Sequence, residues 1–142
     1  MTTIVFDGEM IAYDGRVTQG SKIVCDDYDK KYERDGFLFF LSGDLEHIDP
    51  VISSYFDKQM VDGLNCAGFV YDDGKLYEIV AYDRGISVNE NIGPIAYGSG
   101  SDHAITAIDC GLNAKEAVKM AAKRDLYTGG KIRTFRVKKQ ND

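Results

Sequence analysis

Few side chains in this sequence fall in patterns that imply chemistry. Cys25, Cys66 and Cys110 are odd in number and far apart, with no CxxC spacing, so they predict neither a disulfide framework nor a zinc site. His47 and His103 lack a partner motif and read as partly exposed helix residues. Thr2 taken alone is an ordinary N-terminal residue, but one with a latent chemistry. A small residue directly after Met1 is the kind that methionine aminopeptidase leaves at the N-terminus. A terminal threonine then carries both a hydroxyl nucleophile and an α-amine, of pKa about 8, that can accept its proton. Taken singly, Asp14-Gly15 is a turn and Lys30-Lys31 a solvated charge pair. Asp125 stands near the end of an expected helix, where it reads equally as a surface residue or, because a carboxylate there opposes the macrodipole, as one with a specific partner.

These residues need elements to position them. Residues 3 to 6 and 9 to 13 are β-rich runs around Asp7-Gly8, which predicts an opening hairpin. Lys22 to Cys25 reads as a strand, with Cys25 as a small buried hydrophobe, and the apolar run Phe37 to Leu41 as a buried strand. Asp49-Pro50 has the form of an N-cap and first-turn proline, so the main first helix is expected from there, with Val51, Ile52, Tyr55 and Phe56 on one face.

Residues 65 to 71 and 75 to 82 flank Asp73-Gly74 as a second hairpin, with Tyr71, Tyr77 and Tyr82 packing on or beside a sheet face. Ile95 to Tyr97 leads into Gly98-Ser99-Gly100, followed by a helix over Ser101 to Asp109. A second helix, capped by Asn113, continues through AKEAVKMAAKRDLY until Gly129-Gly130 stops it. Lys131 to Lys138 reads as a terminal strand with one wet face. This order is that of an α+β chain with two sheets between helical layers, not of alternating βαβ units.

The 142 residues, 44% of them hydrophobic and 28% charged, suit one domain spanning the whole chain. A net charge of -6 opposes unspecific binding to nucleic acid or anionic lipid. No signal-peptide pattern or bilayer-length apolar run is present, and a soluble protein of the reducing cytoplasm is expected.

The opening TTIVFDGEMIAYDGRVTQGSKI resembles the start of the HslV peptidase and of catalytic proteasome β subunits, the N-terminal-nucleophile (Ntn) hydrolases. Asp14 and Lys30, sixteen positions apart, have that family's spacing. Phe37 to Gly43 resembles its strand ending in glycine, Gly98-Ser99-Gly100 its turn before a helix, and Asp125-Leu126-Tyr127-Thr128-Gly129-Gly130 its Asp-x-x-Ser-Gly-Gly segment with threonine for serine. The ordered set is more specific than any one member.

The resemblance implies a four-layer αββα sandwich of two antiparallel sheets between helical layers, without cofactor or metal. Between Gly43 and Ser99 the chain is about twenty residues shorter than the HslV pattern, which implies a shortened first helical layer. The resemblance also implies Thr2 as nucleophile once Met1 is removed, Lys30 beside its hydroxyl, and Asp14 holding Lys30. Ser99, Asp125 and Thr128 would orient the α-amine, and the Gly43 N–H would be the oxyanion donor. Val17, Tyr28, Tyr32 and Leu41 are expected to line a pocket for a large apolar side chain.

Peptide or unfolded protein is the implied substrate, and a homo-oligomer, such as a ring, fed by an ATPase unfoldase is the implied assembly. Two other readings of the same fold are a non-catalytic assembly or regulatory protein, and an Ntn amidohydrolase of small amides.

Overall fold

The computed structural model describes residues 2–58 and 62–137. Within them the chain is α+β, with eleven strands in three sheets and three helices. The opening hairpin forms as its Asp-Gly turn requires: β1 (Thr3–Phe6) pairs with β2 (Met10–Tyr13), and Asp7 Oδ1 accepts from the Glu9 and Met10 amides, both at 2.8 Å. β10 (Ile95–Gly98) and β11 (Arg133–Arg136) flank it, giving a four-stranded antiparallel sheet in the order β10-β1-β2-β11. A five-stranded antiparallel sheet follows chain order through β5 (Lys31–Arg34), β6 (Phe37–Gly43), β7 (Cys66–Asp72), β8 (Lys75–Tyr82) and β9 (Gly85–Glu90). The remaining pair, β3 (Val17–Gln19) and β4 (Lys22–Cys25), is a separate ribbon.

Two-residue alternation explains how these sheets share their cores. Ile4 and Phe6 of β1 pack with Phe40 and Phe69 of the five-stranded sheet, whereas Val5 packs among alanines of α2 (Ser101–Asp109) and α3 (Ala114–Arg124). Phe39 and Leu41 of β6 turn the other way, onto Ile48, Val51 and Ile52 of α1 (Leu45–Asp57). Phe39, Phe40 and Phe69 are fully buried, each contributing on the order of 3 kcal/mol of transfer free energy. Asn113 caps α3 in a reciprocal capping box with Glu116, and Asp7 Oδ2 also accepts from Ala114 N at 2.8 Å, tying the hairpin to that helix start.

Several expectations are corrected. α1 starts at Leu45 with Asp44 at its N-cap, not at Asp49-Pro50, and Pro50 lies inside the helix. The proline removes a bond to the Glu46 carbonyl, but Glu46 is exposed and water can satisfy that carbonyl, while the buried stripe of Ile48, Val51 and Ile52 holds the helix. α3 ends at Arg124 because the next residue, Asp125, adopts an extended conformation and turns its carboxylate to tertiary partners. Cys25 is only half-buried, at the end of the isolated ribbon, because no second sheet covers it.

Tyr71 and Tyr77 pack on opposite faces of their sheet, and Tyr82 is exposed. Three strands were not foreseen: β3, which pairs with β4 in the ribbon, β5 and β9. β5 lies in the polar DDYDKKYERDG stretch and forms a hairpin with β6 across Asp35-Gly36, both at positive φ; β9 is an edge strand held by its register with β8. Lys138, expected to close the terminal strand, is outside the described residues.

Candidate active site

Thr2 and Thr3 are adjacent at the start of β1 and therefore point to opposite faces of the sheet. Thr2 Oγ1 accepts from Lys30 Nζ, and the same ammonium donates to Asp14 Oδ1 at 2.7 Å. Thr3 Oγ1 lies 2.7 Å from Thr128 Oγ1 on the other face. One dipeptide is thus joined by its two side chains to two separate polar groups.

The first group is buried, beside a cavity that Thr2 and Lys30 line. Thr2, Asp14 and Lys30 are 1%, 0% and 4% exposed. Asp14 follows β2, and its carboxylate accepts from three backbone amides as well as from Lys30: Thr3 N at 3.2 Å, Arg16 N at 3.3 Å and Gly129 N at 2.9 Å. Such donors are what a buried anion needs in order to stay charged beside a buried cation. Burial pulls the Lys30 ammonium below the ordinary lysine range, against the opposing effect of Asp14. A lysine so placed holds positive charge near the Thr2 hydroxyl while being easier to deprotonate than a surface lysine.

The second group is built on Asp125. Its Oδ2 accepts from Ser99 Oγ at 2.5 Å and from Thr128 Oγ1 at 2.6 Å, and its Oδ1 from Tyr127 N at 3.2 Å. Burial raises the Asp125 pKa, but these hydrogen bonds outweigh it and hold the carboxyl below its usual range. Ser99 Oγ also lies 3.4 Å from the Thr2 carbonyl oxygen, bringing the group to the Thr2 backbone. The Gly98 backbone admits this closeness: at φ 104° it pairs with Thr3, and an added Cβ would sit 1.8 Å from the Thr2 carbonyl oxygen.

Arg16 joins the two groups. Its guanidinium makes a bidentate contact with Asp26 at 2.8 and 3.2 Å and donates to the Leu126 carbonyl at 3.0 Å, clipping the 125–130 segment to the loop after β4. It lies flat over Gly129, where a Cβ would meet it at 2.5 Å. Arg16 and Thr3 were not singled out in the sequence. Alternation along β1 was the available signal for Thr3, and nothing local marks Arg16.

A cavity of about 390 Å³ opens beside Thr2 and Lys30, with Val17, Tyr32, Leu41 and Ile48 among its apolar walls. Tyr28 does not line it. The Tyr28 hydroxyl instead receives the Tyr32 hydroxyl at 3.3 Å from behind. Gly43 borders the cavity, and the Leu41 amide donates toward β5 at Lys30 O, 3.4 Å away. Strand alternation turns the Gly43 amide to that same edge, beyond the last β5–β6 pair, where the cavity begins.

Residue 1, and with it the expected removal of Met1, lies outside the described residues. Among the described residues no cluster of three or more His, Cys, Asp or Glu could hold a metal, and no helix is long and apolar enough to cross a membrane.

No family model matches the chain, and no curated protein does. Solved structures do. Thiobacillus denitrificans BPH superposes with a TM-score of 0.70 at 17% identity over 99% of both chains. Thiobacillus denitrificans BPH in complex with epoxomicin gives 0.71 at 15% identity over the same share of each. The chain has the fold of BPH. At identities this low the likeness establishes the fold alone, and the chemistry has to be argued from the side chains.

Proposed function

We propose that the protein is a threonine endopeptidase of the Ntn-hydrolase kind, with the proteasome-like αββα sandwich in a form whose first helical layer is reduced to α1. The observation that carries this reading is the buried Lys30 ammonium, shared between the Thr2 hydroxyl and Asp14 beside a cavity. Structural likeness to a protein solved with epoxomicin supports it.

With Met1 removed, the free α-amine of Thr2 accepts the Oγ1 proton as Oγ1 bonds to the substrate's carbonyl carbon. The developing oxyanion is met by the Gly43 N–H, and Lys30 stabilises the nucleophile's negative character. Collapse breaks the C–N bond, the leaving amine takes the proton from the α-amine, and an ester on Thr2 remains. Water then attacks that ester, giving its proton to the α-amine, and the carboxylic acid leaves as Thr2 Oγ1 recovers a proton. Ser99, Asp125 and Thr128 hold the terminal amine and its water. Val17, Tyr32 and Leu41 favour an apolar side chain before the scissile bond, with Tyr28 bracing Tyr32.

A cytoplasmic homo-oligomer, in ring form and served by an ATPase unfoldase, would restrict this activity to unfolded substrates. The reading is tested by intact mass before and after epoxomicin. A mass lacking one methionine, followed by an adduct that Thr2→Ala abolishes, is expected. Retained Met1 with no adduct overturns the peptidase and leaves the non-catalytic member of the fold. An adduct without cleavage of any peptide favours the small-amide hydrolase.

A further inference from the structure

The oxyanion donor assigned to Gly43 stands on an unusual backbone. Gly43 has φ 126°, and a Cβ there would sit 2.1 Å from the Asn65 carbonyl oxygen, so the two chain segments touch with no side chain between them. Asn65 O in turn accepts from Asp44 N at 3.2 Å. The placement of the Gly43 peptide therefore depends on where the Asn65 peptide lies.

Asn65 immediately precedes β7 and is itself exposed, between the buried Leu64 and Cys66. The next residue, Cys66, pairs with Gly43 in the β6–β7 ladder, and the Asn65 amide itself is held by His47, in the first turn of α1, whose Nδ1 accepts from it at 3.0 Å. The ring must then carry its proton on Nε2, which lies 4.0 Å from Glu46 Oε1. The Asp44 carboxylate is 3.5 Å from Nδ1 on its other side. The imidazole closes a short loop of contacts from α1 to Asn65, and from Asn65 back to Asp44 and Gly43.

We propose that His47 is a positioning residue, which acts through Asn65 to hold the Gly43 amide in the orientation that receives the oxyanion. This rests on the peptidase reading and extends it to a residue that touches neither substrate nor nucleophile. The chemistry required of position 47 is narrow: an acceptor where Nδ1 stands. Asparagine places its Oδ1 there, whereas glutamine carries its acceptor one bond further out and leucine has none.

The test compares wild type with His47→Asn and His47→Gln, following the rate of epoxomicin adduct formation by intact mass and separating its saturation constant from its maximal rate. Thermal unfolding is the fold control, and His47→Leu, which has no acceptor, is the second variant should His47→Gln not fold. Displacing the acceptor is expected to lower the maximal rate about tenfold or more with the saturation constant little changed, because misplacing a catalytic group acts on the transition state. His47→Asn is expected to restore the rate. Equal rates in all folded variants, or a loss that appears only in the saturation constant, overturn the proposal. A wild-type protein that forms no adduct is a different failure: the peptidase reading falls, and the positioning role falls with it.

Discussion

On one flank of the Thr2-Thr3 step a charged pair is shut away from water, and on the other a carboxylate gathers two hydroxyls in a half-buried setting. Asp14 faces a formal cation and three backbone amides, so its environment is over-determined by main chain that cannot be mutated away. Asp125 has one amide and two hydroxyls, which can turn to water when it is lost. The difference separates a carboxylate whose loss strands a buried cation and three amides from one that chiefly orients its neighbours.

Asp14→Ala is the severest way to break this contrast. It leaves Lys30 and three amides buried without an acceptor, and is expected to cost about 3–5 kcal/mol in urea unfolding and to abolish the epoxomicin adduct. Lys30→Ala should be milder for the fold, because Asp14 keeps its three amide donors, with a stability loss of about 1–3 kcal/mol. Its adduct rate is expected to fall about a hundredfold or more, since the charge beside the nucleophile goes. If Lys30→Ala destabilises more than Asp14→Ala, the ranking of the two flanks is wrong.

Asp125→Asn comes next, at about 1 kcal/mol and about a tenfold slower adduct. It also has a pH signature. The folded-state pKa of Asp125 lies below its ordinary value, so its contribution is complete above an unfolded carboxylate pKa of about 3.9 and is lost as pH falls through the folded value. The urea midpoints of wild type and Asp125→Asn should therefore converge below that pH. Lys30 acts at the other end of the scale. Its folded pKa is depressed by burial, so the cost of keeping it charged is relieved, and stability rises, between the folded value and the ordinary lysine value of about 10.4. Lys30→Ala should lack that alkaline rise. Ser99→Ala is the smallest change expected, with stability lowered by about 0.5–1 kcal/mol and the adduct rate several-fold slower.

Much of the scaffold was legible because it rests on short-range signals. Asp7-Gly8 and Asp73-Gly74 mark hairpins, Asn113 marks a helix start, and the β-rich run Thr3–Phe6 and the continuous apolar run Phe37–Leu41 mark strands. Failures came where a tertiary partner outweighed the local signal. Pro50 looked like a helix start and sits inside α1 because the apolar stripe it follows is anchored on Phe39 and Leu41. β9, with Gly85, Ser87 and Asn89, has little strand character of its own and exists through its pairing with β8.

By itself, then, the sequence determined the spacing of Thr2, Asp14, Lys30, Ser99, Asp125 and Thr128 and the types of element that carry them, because turn chemistry, capping and periodicity act within a few residues. Only the tertiary structure decided that Thr2 and Thr3 serve opposite groups, that Arg16 clips those groups together, that Tyr28 stands behind Tyr32 instead of in the cavity, and that His47 holds Asn65 against Gly43. Those contacts join residues between 4 and 125 positions apart in the chain, and hydrogen bonds of about 3 Å are set by packing that no local pattern encodes.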